Sequence, residues 1–172
     1  MWFLNRPIVW LRRITHCRGF GIQSPTDYWF VRYVINESWP YYQYETLGLN
    51  DNWLDRKLGR LYFRIANWRQ PSTIDSSRFR EYFHAGCNRA VFTQSTELVR
   101  LVLEGDYQNQ FRILCENAKD DTVLIVEGID KNQGFWDSLT GDERVRVTFD
   151  LYYCGIVLFD KRRYKQNYII NF

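Results

Sequence analysis

The stretch Asp120-Asp121-Thr122-Val123-Leu124-Ile125-Val126-Glu127 decides the fold. Thr122 to Val126 is almost uniformly apolar, rich in β-branched side chains and bounded by acids. A strand in the middle of a parallel sheet reads this way, because helices cover both of its faces. Upstream, Tyr107 to Ala118 predicts a helix with Phe111, Leu114, Cys115 and Ala118 as its apolar stripe. Downstream, Gln133 to Leu139 predicts a short helix. Arg144 to Tyr152, Gly155 to Asp160 and Tyr164 to Phe172 then read as three strands, the last two joined by a charged turn. Alternating helices and strands in the middle, with an antiparallel end, predict an α/β sheet carrying helices on both faces.

Towards the N-terminus, Ala90-Val91-Phe92-Thr93 and Ser72 to Asp75 are strand candidates, and Ser76 to Ala85 reads as a helix with Gly86 as its C-cap. Residues 97–104 are ambiguous. A helix would place Glu97, Arg100 and Glu104 on one face; a strand would do the same for Val99, Leu101 and Leu103. Asn52 to Trp68 is a strong amphipathic helix with Leu54, Leu58, Leu61, Tyr62 and Ile65 at helical spacing. An earlier helix starts at Ser24-Pro25-Thr26-Asp27, carries Phe30, Val31, Val34 and Ile35, and stops at Trp39-Pro40. Residues 1–70 thus form a helical N-terminal cap on a sheet domain at 71–172, and the two make one compact unit.

A chain of 172 residues suits a single core. A net charge of +3 is too small to indicate nucleic acid. Cys17, Cys87, Cys115 and Cys154 form no C-x-x-C pair, so they read as reduced thiols of a cytoplasmic protein rather than as a zinc site or a disulfide framework. No apolar run approaches the roughly 20 residues that span a bilayer. The start nevertheless mixes Trp2, Phe3, Leu4, Ile8, Val9, Trp10 and Leu11 with Arg6, Arg12, Arg13 and Arg18. Such a segment either packs its Trp and Leu face on the domain or a partner, or lies on a membrane surface; packing is the preferred reading.

Several segments resemble a family of class I S-adenosylmethionine-dependent methyltransferases of Bacteroidetes type. His16-Cys17-Arg18-Gly19-Phe20-Gly21-Ile22-Gln23-Ser24-Pro25 is similar to that family's H-x-H-G-x-G-V-H-S-P motif, and Tyr41-Tyr42-Gln43-Tyr44-Glu45 to its P-Y-Y-x-Y-E segment. Gly59 to Trp68 resembles the helix before the family's first strand, and Asp120 to Glu127 its fifth strand. Val147 to Leu151, Gly155 to Phe159 and Lys165 to Tyr168 resemble its terminal hairpin. The resemblance implies a reduced Rossmann-like methyltransferase sheet of seven strands, mostly parallel with an antiparallel C-terminal hairpin.

The departures from the family bear on function. After the first strand the family carries an acid and a G-x-G loop, whose glycines let backbone approach the cofactor. Here Asp75 is followed by Ser76, Ser77 and the bulky Arg78, Phe79 and Arg80, with no glycine before Gly86, and Arg78 and Phe79 are expected to fill the space an adenosyl group would need. The acid expected after the second strand is replaced by Gln94. A helix, a strand and a second helix are also missing before the fourth strand. Because parallel strands ordinarily need a connection of about a dozen residues, either Leu98 to Leu103 is a helix replacing the lost strand, which is the preferred reading, or the sheet order has been rewired.

These departures favour a domain that has lost S-adenosylmethionine binding and acts as a binding or scaffolding subunit beside a methyltransferase paralogue or a second copy. An active O-methyltransferase on a small molecule is the alternative; it would hold S-adenosylmethionine with Asp75, Ser76, Gln94 and Glu127. A peripheral membrane or polyanion binder using the basic aromatic N-terminus is third. His16, Tyr41, Tyr42 and Glu45 are the candidate substrate or interface residues, Tyr41 and Tyr42 serving equally well as packing. Glu104, Asp106 and Glu127 stand where acids hold a metal or cap helices; capping is preferred and no metal is expected.

Overall fold

A computed structural model describes the backbone of residues 2–172 and the side chains of residues 7–172. The helices are α1 (Trp2–Arg12), α2 (Pro25–Phe30), α3 (Trp53–Arg69), α4 (Arg80–Gly86), α5 (Tyr107–Asn117) and α6 (Gln133–Gly141). The strands are β1 (Thr73–Asp75), β2 (Val91–Phe92), β3 (Leu98–Val102), β4 (Val123–Glu127), β5 (Val147–Asp150), β6 (Cys154–Leu158) and β7 (Gln166–Ile169). They form one sheet in the order β2-β1-β3-β4-β6-β5-β7. It is a Rossmann-like α/β sheet with helices on both faces.

β4 takes its central place because Val123 to Val126 is fully buried, with side chains alternating between two cores. Ile125 faces a core shared with Phe30, Val34, Leu61, Ile65 and Phe83, supplied by α2, α3 and α4. Leu124 and Val126 face a second core with Phe111, Leu114, Trp136 and Leu139 from α5 and α6. Gly155 of β6 makes the second core possible: a Cβ there would lie 2.1 Å from the Trp136 ring. α2 starts as its sequence predicts, with the Ser24 hydroxyl accepting from the Asp27 amide. It runs on as a π-helical turn over Val31–Ile35. Asp27 itself is buried between Arg163 and Tyr168, which ties this turn to β7.

Three expectations are corrected. Leu98 to Leu103 is not a helix: β3 is a strand between β1 and β4, parallel to both. The short connection suffices because Phe92 and Leu98 both lie level with Ile74, so the chain need not travel back along the strands. It only crosses β1, about 10 Å from one flanking strand to the other. The crossing is stitched down: the Ser95 hydroxyl donates to the Thr73 carbonyl at 3.2 Å, and Glu97 accepts from the Thr73 hydroxyl and the Ser72 amide at 3.0 and 2.8 Å. The helix predicted from Ser76 begins only at Arg80, since Phe79 adopts a left-handed backbone with φ 59°. The final strand does not pair with β6. β6 is antiparallel to both β4 and β5, and β7 lies parallel to β5 at the sheet edge.

The N-terminal segment is helical, but Ile8, Trp10 and Leu11 are 47%, 50% and 59% exposed, so these three side chains are not buried in the domain. The expectations for the side chains of Trp2, Phe3, Leu4 and Arg6 lie outside the described residues. Among the described residues, no helix is long and apolar enough to cross a membrane. All four cysteines are free thiols.

Candidate functional site

The C-terminal ends of β1, β3 and β4 are where an open α/β sheet ordinarily takes a ligand. On the α3 and α4 side, this region is filled by the protein's own groups. Arg100 is in β3, and its Nε donates to Glu127 Oε2 at the end of β4 at 2.5 Å. Their side chains are 2% and 15% exposed. The Tyr62 hydroxyl from α3 donates to the same oxygen at 3.0 Å. Burial alone would lower the Arg100 pKa, but the Glu127 carboxylate outweighs it and holds the guanidinium above its usual range. Burial pushes the Tyr62 hydroxyl well above its usual range, with Cys154 and Glu127 adding to the effect. Tyr62 therefore stays a neutral donor.

Phe79 covers this cluster. Its ring stands edge-on to Tyr62 at 5.1 Å, and the Arg100 guanidinium lies 5.2 Å from its centroid. The loop before it is closed by the buried Ser76, whose hydroxyl donates to the Arg78 carbonyl at 2.6 Å. Arg78, expected to fill the same space, instead turns outward to Asp55 at 3.3 Å, so Phe79 alone of the two covers the cluster.

The four residues proposed to hold a cofactor are not brought together. Asp75 and Gln94 line one groove of about 870 Å³ between the β2–β3 crossing and α5. Ser76 is spent on its own loop, and Glu127 faces the opposite side of the sheet with Arg100. Burial raises the Asp75 pKa, and a hydrogen bond from the Ser95 backbone only partly offsets this. A carboxyl whose folded pKa is raised costs stability once the pH exceeds its unfolded value, and costs nothing below it. Asp75→Asn is therefore expected to stabilise the fold at pH 7. The gain should vanish as the pH falls below the ordinary aspartate value of 3.8, checked by urea melts across the acid range.

The other candidates are dispersed. His16 offers its carbonyl to the Asn171 amide at 3.0 Å. Tyr41 donates to Glu37 at 2.7 Å and packs edge-on against Tyr44 and Phe63. Tyr42 is 78% exposed, and Glu45 is also exposed. Glu104 and Asp106 are exposed, and among the described residues no three His, Cys, Asp or Glu side chains cluster in a way that could hold a metal. Sequence reasoning missed Arg100 and Tyr62. The signal for Arg100 was a lone cation in the apolar run Leu98-Val99-Arg100-Leu101-Val102, which a buried strand accepts only beside an acid.

The architecture is that of a Rossmann-like α/β domain. Compared with protein-family models, with curated proteins and with solved structures, the chain matches none of them.

Proposed function

We propose that the chain is a methyltransferase-like domain that has lost S-adenosylmethionine binding and works in the cytoplasm as a binding or scaffolding subunit. One observation carries the reading: Phe79, set over the Arg100–Glu127 pair, takes the space beside the loop after β1. Without a glycine between Asp75 and Gly86, that loop keeps side chains where a cofactor needs bare backbone. Its partner is a methyltransferase paralogue or a second copy of the chain. The exposed aromatic side chains Trp10, Trp29, Tyr33 and Trp39 supply contact surface.

The open groove beside Asp75 and Gln94 favours one competing reading, an active enzyme with a displaced cofactor site. Calorimetry with S-adenosylmethionine separates the two. The scaffolding reading expects no saturable binding up to about 1 mM. Micromolar binding that disappears in Asp75→Ala would establish the competing one.

A further inference from the structure

We infer that the cleft along the basic side of α3 is a binding site for a phosphate monoester. Arg56, Arg60 and Arg64 recur every fourth residue, so they share one side of the helix. They line a cleft of about 340 Å³, closed on its other side by Asn36, Glu37 and Phe172. That volume falls in the range of small-molecule sites.

The three guanidiniums here are held in place without direct ion pairs among the described residues. Arg64 donates to the carbonyls of Val34 and Ile35 at 2.7 and 2.8 Å. Arg56 donates to the carbonyls of Gly48, Leu49 and Asp51 at 3.1 to 3.2 Å. Carbonyls fix a guanidinium without cancelling its charge. Among the described residues, no carboxylate lies within ion-pair distance of Arg56, Arg60 or Arg64. One carboxylate, Glu37, stands on the wall; it accepts from Tyr41 and keeps its negative charge, so the three guanidiniums outnumber it.

Two donors in this cleft are unused. Arg60 lies with its guanidinium 4.6 Å from the Tyr44 ring centroid, and its buried Nε has no partner. The buried Asn36 Nδ2 has none either. Both atoms are enclosed as the side chains stand, and a guanidinium with an unused donor and no ion-pair partner can turn to an acceptor seated in the cleft. Surplus guanidinium charge specifies that acceptor as an oxyanion, and the fork geometry of arginine suits phosphate. A second cleft of about 430 Å³ adjoins this one, sharing Trp53, Lys57 and Phe172 and adding Trp10. Its aromatic walls give room for an apolar body attached to the phosphate. The cleft lies away from Phe79 and Asp75, so the inference stands whether or not S-adenosylmethionine binds.

The test is calorimetric titration of the full chain with phenyl phosphate, alongside sedimentation with vesicles of phosphatidylcholine with and without phosphatidic acid. Binding of phenyl phosphate that falls at least tenfold in Arg60→Gln supports a soluble ligand. Binding only to phosphatidic acid vesicles, with the same loss, assigns the phosphate to a lipid headgroup. Asn36→Ala removes a donor that has no hydrogen bond to lose, so it should fold like the parent and bind several-fold more weakly. Arg112→Gln, on the exposed side of α5, should bind unchanged. The inference fails if neither probe binds, or if Arg60→Gln and Asn36→Ala bind as tightly as the parent.

Discussion

Glu127→Ala is expected to lower the Tm by about 10 °C. The substitution leaves Arg100 charged, 2% exposed and without its carboxylate, and it removes the acceptor of the Tyr62 hydroxyl. Breaking a buried ion pair from one side costs about 3–5 kcal/mol, because the remaining charge is stranded. In a domain of this size, each kcal/mol shifts the Tm by about 2–4 °C. The double variant Arg100→Met with Glu127→Leu should recover the part of the loss that comes from the stranded charge, while the Tyr62 hydroxyl still lacks its acceptor. Thermal melts followed by circular dichroism read both. A single variant within about 1 kcal/mol of the parent would mean that solvent reaches Arg100, contrary to its place under Phe79.

Gly86→Ala is the second large effect. A Cβ at Gly86 would stand 2.2 Å from the Phe63 carbonyl oxygen and 3.1 Å from the Asn67 amide nitrogen. Both are backbone atoms of α3, held in its helical hydrogen bonds, so neither yields as a side-chain tip would. The added methyl must push α4 off α3. Overpacking of this kind costs about 3 kcal/mol. It should also disturb Phe83, which stacks on Tyr62 at 5.3 Å, so the loss reaches the cluster under Phe79. Gly134→Ala is the matched control. Nothing lies within 4 Å of its Cβ, and alanine in a helix gains up to about 1 kcal/mol over glycine. Urea denaturation should move the two variants in opposite directions.

The elements legible in the sequence are those whose burial follows a simple period. β4 reads as a continuous apolar run and α3 as a stripe of leucines, and both lie where that pattern places them. β3 was ambiguous because Arg100 breaks its apolar run, and only a partner 27 residues away makes the charge tolerable. The crossing from β2 was hidden because its length limit assumes flanking strands that overlap, whereas β1 is three residues long and both neighbours meet it at Ile74. The pairing of β7 with β5 depends on tertiary contacts, among them Asp27 with Tyr168. At the site, the missing glycine and the bulk of Phe79 were legible. The outward turn of Arg78 to Asp55 was not, nor was the separation of Glu127 from Asp75 onto opposite faces of the sheet.

Phe79 already takes the space beside the loop after β1. Amide chemical shifts of the labelled full chain, followed while S-adenosylmethionine is added, test it most directly. The signals of Ser76, Ser77 and Phe79 should stay in place to the end of the titration. Saturable movement of the Ser76 and Ser77 amides, with a nucleoside seated against them, would contradict it.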